Sequence, residues 1–253
     1  MLERLLDYGL QYTIYTLEVV LFVSLLRRGQ WKRQLGVAVY VISLLTVDAL
    51  VRPYFLYHYG LKSDPFGYCY WLSDVVLALE AFGLLCIFFR RACSEKMWHL
   101  LRLWLAMVFV GIALVSYIKI SRNYTHFTQR SFIYEFEQYL FFACLVLTTL
   151  LFIMLQQAES TDDQLELLVC GMGIQFAGPT ASLALVHVTL GWQSDYWQFA
   201  SSLLHHIAPL CSFGTLLIWI YAVRRFPTLG GDYRASADHR RVPALAGVGI
   251  RTD

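Results

Sequence analysis

Nine side chains capable of ionic, acid–base or metal chemistry interrupt otherwise apolar stretches of this sequence: Glu18, Asp48, Asp74, Glu80, Glu135, Glu137, His187, His205 and His206. Carboxylates accept hydrogen bonds and hold cations, and imidazoles carry protons near neutral pH or ligate metals. An ionised carboxylate at the centre of a membrane helix costs about 2.5–3.5 kcal/mol. Six of them, isolated, would cost about 15–20 kcal/mol, more than a typical net folding stability of about 5–15 kcal/mol. They must therefore be paired, protonated, near an interface or facing a wet cavity.

Spacing suggests some partners. Asp48 and Arg52 are four apart, share one helix face and can pair. Pro53 disfavours helical geometry at Arg52, so the helix is predicted to end there. Pro209 removes an N–H that would have met the carbonyl of His205 and is expected to kink its helix; Gly178-Pro179 is expected to break another near Gln175. His205 and His206 are adjacent, hence about 100° apart on a helix and ill placed to share one small ion.

The motifs exclude several chemistries. The last apolar stretch has no lysine for a retinal Schiff base, and the chain has neither HExxH nor HxxxH. Asp74, His187 and one of His205 or His206 could imitate the zinc site of ceramidase-type seven-helix hydrolases, although the second stretch supplies no histidine. A haem would need His187 opposite His205 or His206, and His187 is too shallow. The six cysteines (Cys69, Cys86, Cys93, Cys144, Cys170 and Cys211) show no CxxC spacing and read as free. No catalytic residue, resident metal or cofactor is read from these patterns.

The elements that position these groups are membrane helices. The 253 residues are 58% hydrophobic and only 15% charged, with mean hydropathy +0.53. Soluble domains are about 45–50% apolar and about 25% charged, which excludes a disordered chain, a basic nucleic-acid binder and an ordinary cytosolic enzyme. Seven stretches reach the ~20 residues that a bilayer requires: Tyr8–Leu26, Leu35–Arg52, Gly67–Phe89, His99–Ile120, Phe132–Leu155, Leu165–Leu190 and Trp197–Val223. The fold class is all-α, a polytopic membrane protein, since only helices satisfy the backbone within such segments.

Loop charges set its orientation. Arg27, Arg28, Lys32, Arg33, Arg90, Arg91, Lys96, Arg102 and the tail arginines outnumber the basic residues of the opposite side. By the positive-inside rule the N-terminus is outside and the C-terminus cytoplasmic. The first stretch lacks the basic start and small-residue cleavage site of a signal peptide. Trp31, Trp71, Trp98, Trp192 and Trp197, with Tyr54, Tyr57, Tyr59, Tyr68 and Tyr70, form aromatic belts at the membrane edges. Thr161-x-x-Gln164 reads as a capping box opening the sixth helix. Asn123-Tyr124-Thr125 is a glycosylation sequon in form only, if the source is bacterial. Residues 1–223 thus form a seven-helix transmembrane domain, and 224–253, rich in Gly, Pro and Arg, a flexible basic cytoplasmic tail near anionic lipid. Neither an internal repeat nor a soluble effector domain is read in the chain.

On this topology seven of the nine groups share the outer half of the membrane, with Glu18 and Glu80 near the midplane. The expectation is an outward-facing polar pocket built from Asp48, Arg52, Asp74, Glu135, His187, His205 and His206; the alternative is that these groups merely pair to fix helix packing. Arg27-Arg28-Gly29-Gln30, Asp48-x-x-x-Arg52-x-Tyr54 and Tyr68-x-Tyr70-Trp71-x-x-Asp74 resemble a bacterial, acidobacterial-type family of seven-helix membrane proteins. That resemblance implies the fold and no known activity. The functional expectation is a non-enzymatic sensor or accessory protein of the inner (plasma) membrane. Its partners are the bilayer and a cytoplasmic or membrane protein that carries any output, not nucleic acid. A metal-dependent intramembrane hydrolase and a small-solute transporter stand as alternatives.

Overall fold

The computed structural model describes residues 2–27, 34–60, 63–123, 129–157, 162–189 and 194–225. Among them every regular element is helical: α1 (Leu2–Arg27), α2 (Leu35–Thr46), a π-helical turn (Val47–Val51), α3 (Arg52–Tyr59), α4 (Asp64–Ala92), α5 (Glu95–Asn123), α6 (Gln129–Gln157), α7 (Asp163–Thr189) and α8 (Ser194–Arg225). Because α2, the π turn and α3 are continuous, these form seven rods. Five stretches are long and apolar enough to cross a bilayer: Gly9–Arg27, Leu35–Tyr59, Asp64–Ala92, Met97–Lys119 and Glu135–Gln157.

The second rod corrects the expectation that Pro53 ends a helix. Arg52 keeps right-handed helical geometry (φ −63°, ψ −47°) and its N–H reaches the Val47 carbonyl five residues back. The widened turn before the proline absorbs the ring that would otherwise clash with the preceding turn. Helix α3 then runs on to Tyr59, where Gly60 at φ +78° ends it in a conformation L side chains rarely adopt. Ser63 starts α4 by accepting a hydrogen bond from the Phe66 N–H (3.3 Å), with Pro65 in the first turn. Nor does Gly178-Pro179 break its helix: α7 runs unbroken through Pro179, and α8 continues through Pro209, where a kink is expected rather than an end. Asp162 caps α7, its Oδ1 accepting from the Leu165 N–H at 3.3 Å; Thr161, expected to open this helix, lies outside the described residues. Gln164 donates to the Ala222 carbonyl on α8.

The rods close into a ring. Helix α1 packs on α8 and α2, α2 and α3 on α4, α4 on α6, α6 on α7, and α7 on α8. Helix α5 sits outside against α4 and α6, and most of its aliphatic surface is open, with Leu100 74% and Met107 65% exposed. A soluble protein rarely leaves so continuous an apolar face bare, whereas lipid covers it at no cost. Tyr54, Tyr57, Tyr59, Tyr68 and Tyr70 are all exposed around the α3–α4 turn, as a belt requires.

The tightest interface is α7 on α8. The fully buried Trp219 donates its indole N–H to the Leu168 carbonyl at 3.0 Å. Its ring lies over Gly171, where an added Cβ would come within 2.5 Å of the indole nitrogen. Gly83, by contrast, has open space where a Cβ would go. We expect Gly171→Val to cost about 1–3 kcal/mol by overpacking and to lower the midpoint of thermal unfolding in detergent, with Gly83→Ala neutral or stabilising; equal midpoints for the two variants would contradict this packing.

Candidate functional site

Arg52 sits seven residues before the end of α3, and Asp74 lies ten residues into α4 beyond a short turn. At about 1.5 Å per residue the two lie at similar depth on adjacent rods. Arg52 Nη1 donates to Asp48 Oδ1 at 2.8 Å, and Nη2 donates to Asp74 Oδ1 in a second, close ion pair. Nε and Nη2 also approach Ser73 Oγ at 3.4 Å, and the guanidinium carbon lies 4.5 Å from the Tyr70 ring centroid. Ser73 is held by donating to the Tyr70 carbonyl at 2.7 Å. The planar fork thus spans two carboxylates from two rods, with an aromatic face beside it, a task arginine performs and lysine does not. All three charged side chains are only 21–22% exposed.

A proline shapes this site from the backbone. In the π turn the Asp48 carbonyl would be served by the N–H five residues on, but that residue is Pro53, which has none. The Arg52 N–H goes to Val47 instead. Tyr15 of α1 fills the vacancy, its hydroxyl donating to the Asp48 carbonyl at 3.1 Å while accepting from Gln11 Nε2 at 2.6 Å. The same proline that distorts the rod therefore draws α1 into the site.

Further acids surround this centre. Glu18, one turn below Tyr15 on α1, is 2% exposed and within electrostatic reach of Asp48. Glu137 on α6 is within reach of both Asp74 and Arg52. Deeper on α4, Glu80 accepts through Oε1 from Ser43 Oγ at 2.9 Å. The Oε2 atoms of Glu18, Glu80 and Glu137 are buried and have no hydrogen-bond partner among the described residues.

Of the candidate residues, the structure brings Asp48, Arg52 and Asp74 together. It places Glu135 elsewhere: its carboxylate meets Lys119 of α5 at 2.6 Å, and that ammonium lies 5.4 Å from the Tyr139 ring. The side chains of His187, His205 and His206 lie outside the described residues. Tyr15, Tyr70 and Ser73 were not foreseen, although Tyr70, Ser73 and Asp74 fall on one helical face by their three- and four-residue spacing. Among the described residues no three His, Cys, Asp or Glu side chains are placed to hold a metal, and all six cysteines are free. A cavity of about 340 Å³ opens at the opposite end of the bundle, lined by Phe152, Asp163, Glu166, Leu167, Cys170 and Arg225.

Compared with known proteins, the chain matches no family model, no curated protein and no solved structure. What the site does is therefore read from its own side chains.

Two outcomes follow from this geometry. Arg52→Gln leaves two half-buried carboxylates uncompensated and should cost about 3–5 kcal/mol, as breaking a buried ion pair does; adding Asp48→Asn and Asp74→Asn should restore most of the unfolding midpoint, and a triple variant as unstable as Arg52→Gln would refute the pairing. Tyr15→Phe should cost about 1 kcal/mol, and clearly less in a Pro53→Ala background where residue 53 regains an N–H for the Asp48 carbonyl; strict additivity in that double-mutant cycle would count against the proline account.

Proposed function

We propose that this chain is a seven-helix protein of the bacterial inner (plasma) membrane, N-terminus outside and C-terminus in the cytoplasm. It works non-enzymatically as a sensor or accessory protein. Its outward-facing polar site engages a small ligand, and a separate cytoplasmic or membrane protein carries the output.

Several features support the reading. Helices α7 and α8, at 27 and 32 residues, have ample length for about 30 Å of hydrocarbon. Arg27, Arg90, Arg91, Arg224 and Arg225 all lie at rod ends of one side, and Arg91 ties that end of α4 to Asp162 at 2.9 Å. The observation that carries the functional part is the composition of the Arg52 centre: a cation already engaged by two carboxylates, with Glu18 and Glu137 within electrostatic reach, each keeping a buried oxygen without a donor among the described residues. A group of charges assembled at such expense for packing alone would be expected to close on itself. A metal-dependent hydrolase would draw on the Asp74 carboxylate, which Arg52 occupies.

Orientation is tested with the native thiols. Cys69 and Cys93 lie near opposite ends of α4, both half-buried. With the other cysteines replaced, a membrane-impermeant maleimide applied to right-side-out vesicles should label Cys69, and should reach Cys93 only after permeabilisation; the reverse pattern overturns the topology. For the sensing role, the tagged chain should recover a partner from its native membrane by crosslinking, and the Arg52→Gln, Asp48→Asn, Asp74→Asn triple variant, folded but uncharged, should lose it. Undiminished recovery would make the site structural only.

A further inference from the structure

The charges of the site select the class of ligand. An anion would need a free cation, yet the Arg52 guanidinium is engaged by Asp48 and Asp74, and Lys119 by Glu135. Among the described residues, the charged groups left with an unmatched buried atom are the carboxylates of Glu18, Glu80 and Glu137, beside the neutral groups of Gln34, Ser116, Gln138 and Thr180. Glu18 is the extreme case: it is 98% removed from solvent and its Oε2 meets no donor among the described residues. Three residues before it, Tyr15 places its hydroxyl on the Asp48 carbonyl, so one face of α1 carries both groups toward the π turn of the second rod. The Tyr15 hydroxyl rests on the Asp48 carbonyl at 3.1 Å, and the Glu18 carboxylate lies within electrostatic reach of Asp48, so acid, carbonyl and hydroxyl oxygens belong to one neighbourhood. Oxygen-only sets of this kind suit hard cations and ammonium groups. Arg52 offsets only one of the two carboxylates it spans, so Asp48 and Asp74 share about one uncompensated negative charge, and Glu18 adds another when ionised. A π turn is also a frequent companion of functional sites, because it loosens backbone carbonyls from the helix ladder.

We infer that Glu18 of α1 and Asp48 of the π turn form the binding site of a small monovalent cation, an inorganic ion or a protonated amine, at the midplane end of the Arg52 centre. The inference rests on the proposed outward-facing site and names its ligand. The bound cation balances Glu18, and through Asp48 it competes with Arg52, so occupancy bears directly on the tie between the second rod and α4.

The test uses the full chain in detergent or lipid nanodiscs. Thermal unfolding is followed by tryptophan fluorescence at constant ionic strength, with choline chloride replaced stepwise by sodium, potassium or methylammonium chloride. Choline is bulky and has no N–H to donate. At least one of the small cations should raise the midpoint by several degrees in a saturable way; the metal arms and the methylammonium arm separate an inorganic ion from an amine. Glu18→Gln should abolish the rise, and Glu18→Asp should shift it to higher concentration. Should Glu18→Gln not fold, the wild-type protein decides: dicyclohexylcarbodiimide modification of Glu18, read by mass spectrometry, should slow several-fold in the stabilising cation. No difference from choline, a rise that persists in Glu18→Gln, or Glu18 modification indifferent to cation each overturns the proposal. If Cys69 is labelled from outside while cations have no effect, only the cation assignment falls; if Cys69 is labelled from inside, the outward-facing site falls first.

Discussion

A guanidinium held inside an apolar bundle must be surrounded by acceptors, and the position of Arg52 imposes that requirement on everything around it. Bringing an uncompensated charge to this depth costs several kcal/mol, and a carboxylate on the same rod repays only part of it. Asp48 is four residues away and binds one edge of the fork; Asp74, on the next rod, must bind the other. The register of α3 against α4 follows from this. Only one alignment puts Asp74 level with Arg52, and the turn at Gly60 is short enough to hold it. Ser73 and Tyr70 fall on the same face of α4 and complete the shell.

The proline next to that arginine has the second largest influence. A helix that carries Pro53 must lose a hydrogen bond, and the π turn determines which carbonyl goes unserved. It is that of Asp48, beside the carboxylate that Arg52 uses. Tyr15 supplies the missing donor from α1. Backbone irregularity at membrane depth is tolerated where a side chain satisfies the freed group. Here the satisfying side chain comes from another rod, so the defect becomes a joint between α1 and the second rod.

Much of this was legible before any coordinates, and the misses have physical causes. Each apolar stretch falls on a helical rod, most ends short by a few residues, because helices continue into polar ends such as Asp64 and Arg27 that hydropathy does not mark. The Asp48–Arg52 pair was readable from four-residue spacing. Its link to Asp74 was not, since no local rule gives the level at which two rods meet. The proline was misread for a specific reason: the residue before proline avoids helical geometry in an α-helix of normal pitch, whereas a five-residue hydrogen bond relieves the clash. Glu135 and Glu137 could have been separated in advance. Two residues apart on a helix, they are about 200° around the axis from each other, so they could not both face one pocket. Glu135 turns to α5 and Glu137 to the Arg52 centre.

The partition of polar groups into closed and open sets bears on whether the bundle's charge is scaffolding or machinery. Lys119 with Glu135 and Arg91 with Asp162 are pairs of opposite charge that tie one element to a neighbour. Thr215 donates to the Gly171 carbonyl across α7 and α8 and also to its own helix at Cys211. Those contacts need nothing further. Glu18, Glu80 and Glu137 of α1, α4 and α6 differ: each keeps one buried oxygen without a donor among the described residues, where leaving a carboxylate idle is most costly. Glutamine at these positions would have given the same volume without the charge. Carboxylates kept where charge is hardest to keep are the groups that the proposed ligand would complete.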